Sequence, residues 1–443
     1  MSIRVSSNQM VYNYKKQLND ANSRKDKLLE QGDGSKLHRP SDDSVAYTKY
    51  LRYDTSQQEN EQYQENVSTG VSWMKASDAA LVSMTDIQTT FKEKTVAAAN
   101  GDKTNEDMAA IGKEMEAEIQ ELVSLGNTQQ GDRYLFAGQK DTTQPFSLSE
   151  KTVSRGLAKT LSEKAANYFS GDEGVGTTGS LQQMLTLEGD DGNTYYLNTE
   201  DGYIYTKDFV DSGYQQKIAE NADAVVDRDT DAVGKLDKWS GGKDVSTYFK
   251  NTGEIIDAAA NEKYPLSGNG MKFKFTTIEQ KIATYQGDDK YISMTKKNGT
   301  TEPVADTVNV TGQEIWGTDI FDNASSGNAP SGTAMLNEML TVQKQVTSAN
   351  FNWLTDDGQT ISDQAHATTV TTETRLGARQ QLYNSVATML DNQKVLIKQD
   401  ITDVSSVDVA ALATKLMEEQ TVYNMSLALG ARILPQSLAD YLS

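Results

Sequence analysis

Two histidines, His38 and His366, are the whole imidazole complement of this chain, and it has no cysteine. That removes disulfides, thiolate zinc sites and cysteine nucleophiles together. Metal motifs of the HExxH type need two histidines four residues apart, so they are excluded too. One histidine lies in a linker and the other in a Thr-rich segment, where a solvated or hydrogen-bonded side chain is the expected role. Gly174-Val175-Gly176-Thr177-Thr178-Gly179 spells GxGxxG. A dinucleotide site needs a strand directly before that motif, and Tyr168–Glu173 does not read as one, so a flexible loop is expected. Asp227, Asp229 and Asp231 begin like a calcium loop, but Ala232 stands where the turn needs glycine and Lys238 where the closing glutamate belongs. The acidic pairs Asp190–Asp191 and Asp288–Asp289 could supply acid–base chemistry, yet hydrating turns is the simpler role. No catalytic, cofactor-binding or metal-binding constellation emerges, and no cofactor is expected.

The elements that would have to position such groups are legible from proline. The 443 residues contain only six, Pro40, Pro145, Pro265, Pro303, Pro330 and Pro435. Proline inside a helix costs about 3 kcal/mol, so the two proline-free stretches, 41–144 and 331–434, permit long helices. After Pro40, Ser41 is placed to cap a helix with Asp42 and Asp43 in its first turn. Val67, Val71, Met74, Leu81, Met84, Ile87 and Phe91 then recur at three- and four-residue steps. Asn100-Gly101 is a natural stop, and Thr104 with Asp107 spells a capping box. A second stripe follows in Met108, Ile111, Met115, Ile119 and Leu122, so two antiparallel helices joined by a short turn are expected. Leu376, Tyr383, Val386, Leu390 and Ile397 form another stripe, and Val409, Leu412, Leu416, Tyr423, Leu427, Leu434 and Leu438 a further one. At the start, Val11, Tyr14, Leu18, Ala21 and Leu28 keep similar spacing. Each stripe alone describes an ordinary bundle core. Their distribution, at both ends of the chain, predicts that the two termini pair with each other.

The middle differs. Residues 146–330 carry 18 Lys and Arg against 29 Asp and Glu, net −11, about half of the whole chain's −21. Two Asp-Gly turns, at 191–192 and 201–202, flank aromatic and β-branched segments in a hairpin pattern. Lys272–Thr276 and Thr307–Val310 alternate as strands do, and a helical patch is expected around Gln215–Val226. The expected fold class is mainly α, terminal coiled-coil helices and a helical rod, with an inserted β-rich α+β domain in the middle. The acidic balance argues against nucleic-acid partners. A mean hydropathy of −0.61 and no apolar run near the roughly 18 residues of a span argue against a membrane. The first ten residues lack the apolar stretch of a secretory signal peptide.

Gln31-Gly32-Asp33-Gly34-Ser35-Lys36-Leu37-His38-Arg39-Pro40-Ser41-Asp42-Asp43 resembles the glycine-bearing segment that ends P-S-D-D in the bacterial flagellin superfamily. Ala97-Ala98-Ala99-Asn100-Gly101 resembles that family's helix end, and Leu376-Gly377-Ala378-Arg379 its C-terminal signature. Gly131–Gly138 (GDRYLFAG) and Ala431–Leu442 (ARILPQSLADYL) resemble the hook–filament junction members of the superfamily rather than its filament subunits. The resemblance covers about 1–145 and 331–443. The middle is expanded beyond it, and the segment from Asn352 to Ala367 is longer than the family pattern.

The resemblance implies a structural adaptor of the bacterial flagellum. It would be exported unfolded through the flagellar type III apparatus, extracellular, and assembled as a homo-oligomeric ring joining hook to filament, with no catalysis. Absence of cysteine suits passage of an unfolded chain. The implied organisation is 1–40 export segment and inner helix, 41–145 N-terminal half of the helical core, 146–330 variable surface-exposed insert, 331–400 C-terminal half of the core, and 401–443 C-terminal inner helix. Implied partners are the hook-side junction protein, flagellin, and an export chaperone on the C-terminal helix. The candidate assembly interface is Val11, Tyr14, Leu18, Leu28, Leu412, Leu416, Tyr423, Leu427, Leu434 and Leu438, on termini expected to order only when neighbours add apolar surface. A flagellin is the alternative. An enzyme such as a glycosidase within 146–330 is a third reading, resting on the paired carboxylates there.

Overall fold

The computed structural model describes residues 2–170, 183–199, 201–221, 224–235, 266–268, 271–292, 307–317 and 334–433. The GxGxxG segment, Leu434 and Leu438 lie outside the described residues. The helices are α1 (Ser2–Glu30), α2 (Ser44–Ala99), α3 (Asn105–Gly126), α4 (Glu163–Ser170), α5 (Tyr214–Glu220), α6 (Gly312–Trp316), α7 (Ala334–Thr347), α8 (Gln359–Ser405) and α9 (Val409–Ile433). The chain divides into two units, one of residues 1–66 with 385–443 and one of 67–384.

In the first unit α1 packs along α9. The link between α1 and α2 is tied to the link before α9, where Lys36 N–H donates to the Ser405 carbonyl (2.8 Å) and Val407 N–H to that of Gly34 (3.0 Å). Gly34 sits at φ 94°, a left-handed conformation that glycine adopts without strain. Asp43, not Ser41, caps α2: its Oδ1 accepts from the N–H groups of Val45 (3.0 Å) and Ala46 (2.9 Å). Ser41 and Asp42 instead close the preceding turn, Asp42 Oδ2 accepting from Arg39 N–H (2.9 Å). The reason is local: the residues after Pro40 complete a turn before helical geometry begins. Further along, Asn60 is buried on α2 and donates to the Leu390 carbonyl of α8 (3.2 Å), and Gln64 donates to Asp391 (2.8 Å).

In the second unit the expected stop and restart are present. Gly101 has φ 69°, and Thr104 with Asp107 forms a reciprocal capping box at the start of α3. The stripes become the core: Met74, Leu81, Met84 and Phe91 on α2, Met108, Met115, Ile119 and Leu122 on α3, and Leu376 on α8 are all buried. α3 lies directly against α7. Gly112 makes that approach possible, since a Cβ there would stand 2.3 Å from Thr347 Oγ1; its carbonyl accepts from Gln343 instead (3.0 Å).

The strands are β1 (Gln129–Gln130), β2 (Arg133–Tyr134), β3 (Phe146–Leu148), β4 (Val153–Gly156), β5 (Ala158–Thr160), β6 (Gln183–Gly189), β7 (Thr194–Leu197), β8 (Tyr203–Thr206), β9 (Gly234–Lys235), β10 (Leu266–Gly268), β11 (Met271–Phe275), β12 (Thr277–Gln280) and β13 (Ala283–Tyr285). The main sheet runs β10-β11-β6-β7-β8-β9, with β5 also on β6, and short pairs β12–β4, β13–β3 and β1–β2 stand beside it. The pairings are antiparallel. Both Asp-Gly turns connect neighbouring strands, with Gly192 at φ 76° and Gly202 at φ 78°. One side of the sheet closes over Tyr168 and Phe169 of α4, with Tyr205 and Tyr214 packed against them. The helical patch expected at Gln215–Val226 is the shorter α5, entered through a wide π turn at Phe209–Gly213 and ended at Glu220, after which Asn221 is extended. Thr307–Val310 is not a strand of this sheet. It is a buried segment in which Val308 N–H donates to the Ile292 carbonyl (2.9 Å) and Asn309 turns its side chain to the backbone of Ile292 (2.6 Å) and Lys290 (3.1 Å). No helix among the described residues is long and apolar enough to cross a membrane.

Candidate assembly surface

The terminal residues singled out from spacing divide into two sets. Tyr14 is 8 % exposed and Ala21 1 %, while Val11, Leu18, Leu28, Leu412, Leu416 and Tyr423 are half-buried. The seam between α1 and α9 is fixed at its rim by Arg24 Nε against Glu419 Oε1 (2.9 Å) and by Lys25 Nζ over the Tyr423 ring (5.2 Å). Leu427 is 44 % exposed and Val409 69 %, so the stripe turns outward at its ends.

Spacing alone missed the opposite side of α9. Met417 (71 % exposed), Met425 (66 %), Leu429 and Val422 stand in water there, and Tyr12 and Leu29 do so on α1. The signal was present, since Val409–Ile433 carries apolar residues around its whole circumference. A helix of that kind is normally buried all round, and α1 covers only one side. Exposed apolar surface on this scale marks an interaction site, and methionine adapts to irregular partners.

The segments that carried the resemblance are structural ties. β1 and β2 form a small hairpin at Gly131, and the residues after it, Leu135, Phe136 and Ala137, are fully buried. Tyr285 donates its hydroxyl to the Phe136 carbonyl (2.9 Å), and Asp288 N–H donates to Ala137 (3.0 Å). Gly138 has φ 70°, and a Cβ there would stand 2.2 Å from the Asp288 carbonyl. Asp288 Oδ1 in turn accepts from Gln139 N–H (2.7 Å). Arg379, 5 % exposed, pairs with Glu314 (2.7 Å) and donates to the Asn309 carbonyl (3.2 Å). The seam below is aromatic, with Phe146 edge-on to Trp316 at 4.6 Å between ring centres.

The residues considered for chemistry also have structural work. Asp227 caps the turn Arg228–Asp231, and Asp231 accepts the Tyr168 hydroxyl (3.0 Å) and pairs with Lys217 (3.1 Å). Asp191 accepts from Asn193 N–H (3.0 Å) and the Tyr195 hydroxyl (2.7 Å), hydrogen bonds that hold its carboxyl below the ordinary range. Asp289 accepts from Thr311 (2.9 Å), and burial pushes its carboxyl up. His38 lies 3.3 Å from Asp33 Oδ1, and His366 is half-buried on α8.

One charged cluster was invisible from spacing. Lys159 on β5 places its ammonium 2.6 Å from Asp211 and 2.5 Å from Asp357, and Lys207 reaches Asp211 (2.8 Å) and Asp356 (3.3 Å). The three carboxylates converge within 4.8 Å of one another. Asp211 sits in the wide turn before α5, and Asp356 and Asp357 in a second one, Leu354–Gly358, before α8. This second turn lies within the segment Asn352–Ala367. Burial disfavours the Lys159 ammonium, but Asp357 and Asp211 outweigh it and hold its pKa above the ordinary value.

Both arms match family descriptions. The bacterial flagellin N-terminal helical region matches residues 5–141 and the bacterial flagellin C-terminal helical region residues 360–442, together about half of the chain. The chain belongs to the flagellin family. Among curated proteins it is similar to flagellar hook-associated protein 3 of Escherichia coli (strain K12), 30 % identical over 132 residues, which are 30 % of this chain and 41 % of that protein. Flagellar hook-associated protein 3 of Salmonella typhimurium (strain LT2) is 30 % identical over 122 residues, 27 % of this chain and 38 % of that protein. The chain thus spans about two fifths of the length of the curated relatives it matches. The crystal structure of the flagellar junction protein FlgL from Legionella pneumophila overlays with a TM-score of 0.35 at 13 % identity, covering 81 % of this chain and 100 % of that one.

Proposed function

We propose that this protein is a structural adaptor of the bacterial flagellum, a ring of identical subunits that joins hook to filament outside the cell. The observation that carries the reading is the uncovered apolar face of α9 on a chain with flagellin helical regions at both ends. Neighbouring copies would cover that face, and the hook-side junction protein and flagellin would meet the ring on its two sides. Before export through the type III apparatus, a chaperone would cover the C-terminal helix. The names of the curated relatives support the junction over the filament. The candidate interface is Val11, Tyr14, Leu18 and Leu28 with Leu412, Leu416, Tyr423, Leu427, Leu434 and Leu438, extended by Met417 and Met425. The insert would project from the tube as an acidic, hydrophilic surface.

Electron microscopy of purified protein added to isolated hook ends that carry the preceding junction protein tests this. A short cap that stops after one layer is expected. Long filaments from the same ends would make the protein a flagellin, and bare ends would remove the assembly reading.

A further inference from the structure

A cavity of about 260 Å³ opens beside the Lys159 network, between strands β5 and β7 on one side and residues 350–357 on the other. Tyr196 lines it. Its ring is almost wholly buried, at 2 % exposed, while its hydroxyl oxygen is not among the enclosed unpaired atoms and stays accessible. A hydroxyl placed there can exchange a hydrogen bond with water or with a ligand that displaces the water. Around it stand Trp353, Asn352, Thr194, Lys207 and Asp356. The Asp356 side chain is 54 % exposed and touches Lys207 at 3.3 Å, which leaves acceptor capacity facing solvent.

Charge decides the class of ligand. Three carboxylates face two ammoniums, so the network is net −1 and repels an anion. A divalent cation would have to expel the Lys159 ammonium from between two carboxylates at 2.5 and 2.6 Å. A neutral ligand rich in hydroxyls meets neither obstacle. It can donate to Asp356, accept from Lys207, exchange a hydrogen bond with Tyr196 and lay C–H groups against Trp353. The volume falls below the roughly 300–1,000 Å³ of drug-sized pockets, which limits the occupant to one small ring. We propose that this cleft binds a single saccharide unit, a role independent of the assembly reading.

Saturation-transfer NMR on the full chain, with a panel of methyl glycosides of the common hexoses and N-acetylhexosamines, tests the proposal. At least one is expected to bind with a millimolar Kd, and Tyr196→Phe should weaken it about five-fold, the value of one neutral hydrogen bond. Tyr196→Phe deletes one oxygen from a buried ring, so an unchanged circular dichroism spectrum separates lost binding from lost fold. Trp353→Ala should weaken the same glycoside by at least as much. No transfer from any member of the panel would overturn the proposal, as would transfer that both variants leave unchanged. Calcium ions that bind the cleft and displace the glycoside would also overturn it, making the site a cation site.

Discussion

Replacing Lys159 with methionine keeps the side chain's length and deletes its charge. The carboxylates of Asp211 and Asp357, whose side chains are 19 % and 12 % exposed, would lose an ammonium at 2.6 and 2.5 Å. Removing one partner from a buried ion pair costs about 3–5 kcal/mol, because the remaining charge is left uncompensated. Lys207 stays 2.8 Å from Asp211, which sets the expectation near the lower end, about 3 kcal/mol. In a unit of this size each kcal/mol moves the midpoint by about 2–4 °C, so the insert's transition should fall by about 6–12 °C. Adding Asp357→Asn should return part of the loss by removing one orphaned charge. The alkaline limb gives an independent check. The folded chain holds the Lys159 proton more tightly than the unfolded chain, so the contribution is complete below the ordinary 10.5. It fades as pH rises through the higher folded value, and the gap between wild type and Lys159→Met should close there. Urea and thermal melts followed by near-UV circular dichroism measure both effects. A variant within about 0.5 kcal/mol of wild type, the ordinary surface range, would refute the reasoning, as would a gap unchanged in strong alkali.

Gly138→Ala should destabilise the second unit by about 1–3 kcal/mol, since φ is 70° and Cβ meets the Asp288 carbonyl; an unchanged urea midpoint would show that the strap yields. Gln88 on α2 is 1 % exposed with neither amide atom hydrogen-bonded among the described residues, so Gln88→Leu should stabilise by about 1–2 kcal/mol, and a drop in midpoint would count against an unsatisfied amide. Met417→Glu with Met425→Glu should leave the monomer's melting curve in place and abolish capping of hook ends in electron micrographs. Amide exchange of the unassembled chain should be fast over 5–30 and 407–440, and strong protection there would remove the idea that these helices order on assembly.

The long helices were readable because their burial follows a period that sequence displays directly. Met74, Leu81, Met84 and Phe91 lie on one side of α2 for the same reason that they recur every three or four residues. Caps were readable where one side chain decides them, as at Thr104 and Asp107. They were misread where two candidates stood side by side: Ser41 and Asp43 are both good caps, and the turn after Pro40 settles which one is used. At Thr307–Val310 the alternation does mark buried residues, Val308 and Val310, but Asn309 between them is buried as well, its amide held by the backbone of Ile292 and Lys290, which alternation does not disclose. The Lys159 network was out of reach because positions 159, 207, 211, 356 and 357 share no periodicity. Only the sheet and two wide turns bring them into one network.

The two sides of α9 were half legible for a related reason. Helical spacing picks out the residues on one side of α9, and Leu412, Leu416 and Tyr423 do turn toward α1. Such a pattern says nothing of the remaining circumference, because Met417, Val422 and Met425 fit no stripe that a single partner could bury. An exposed apolar residue contributes little to the stability of the lone chain, and several on one helix face mark an interaction surface. The two sides of α9 therefore carry different information. The inner side encodes pairing within the chain, and the outer side carries Met417, Val422 and Met425, which α1 leaves uncovered.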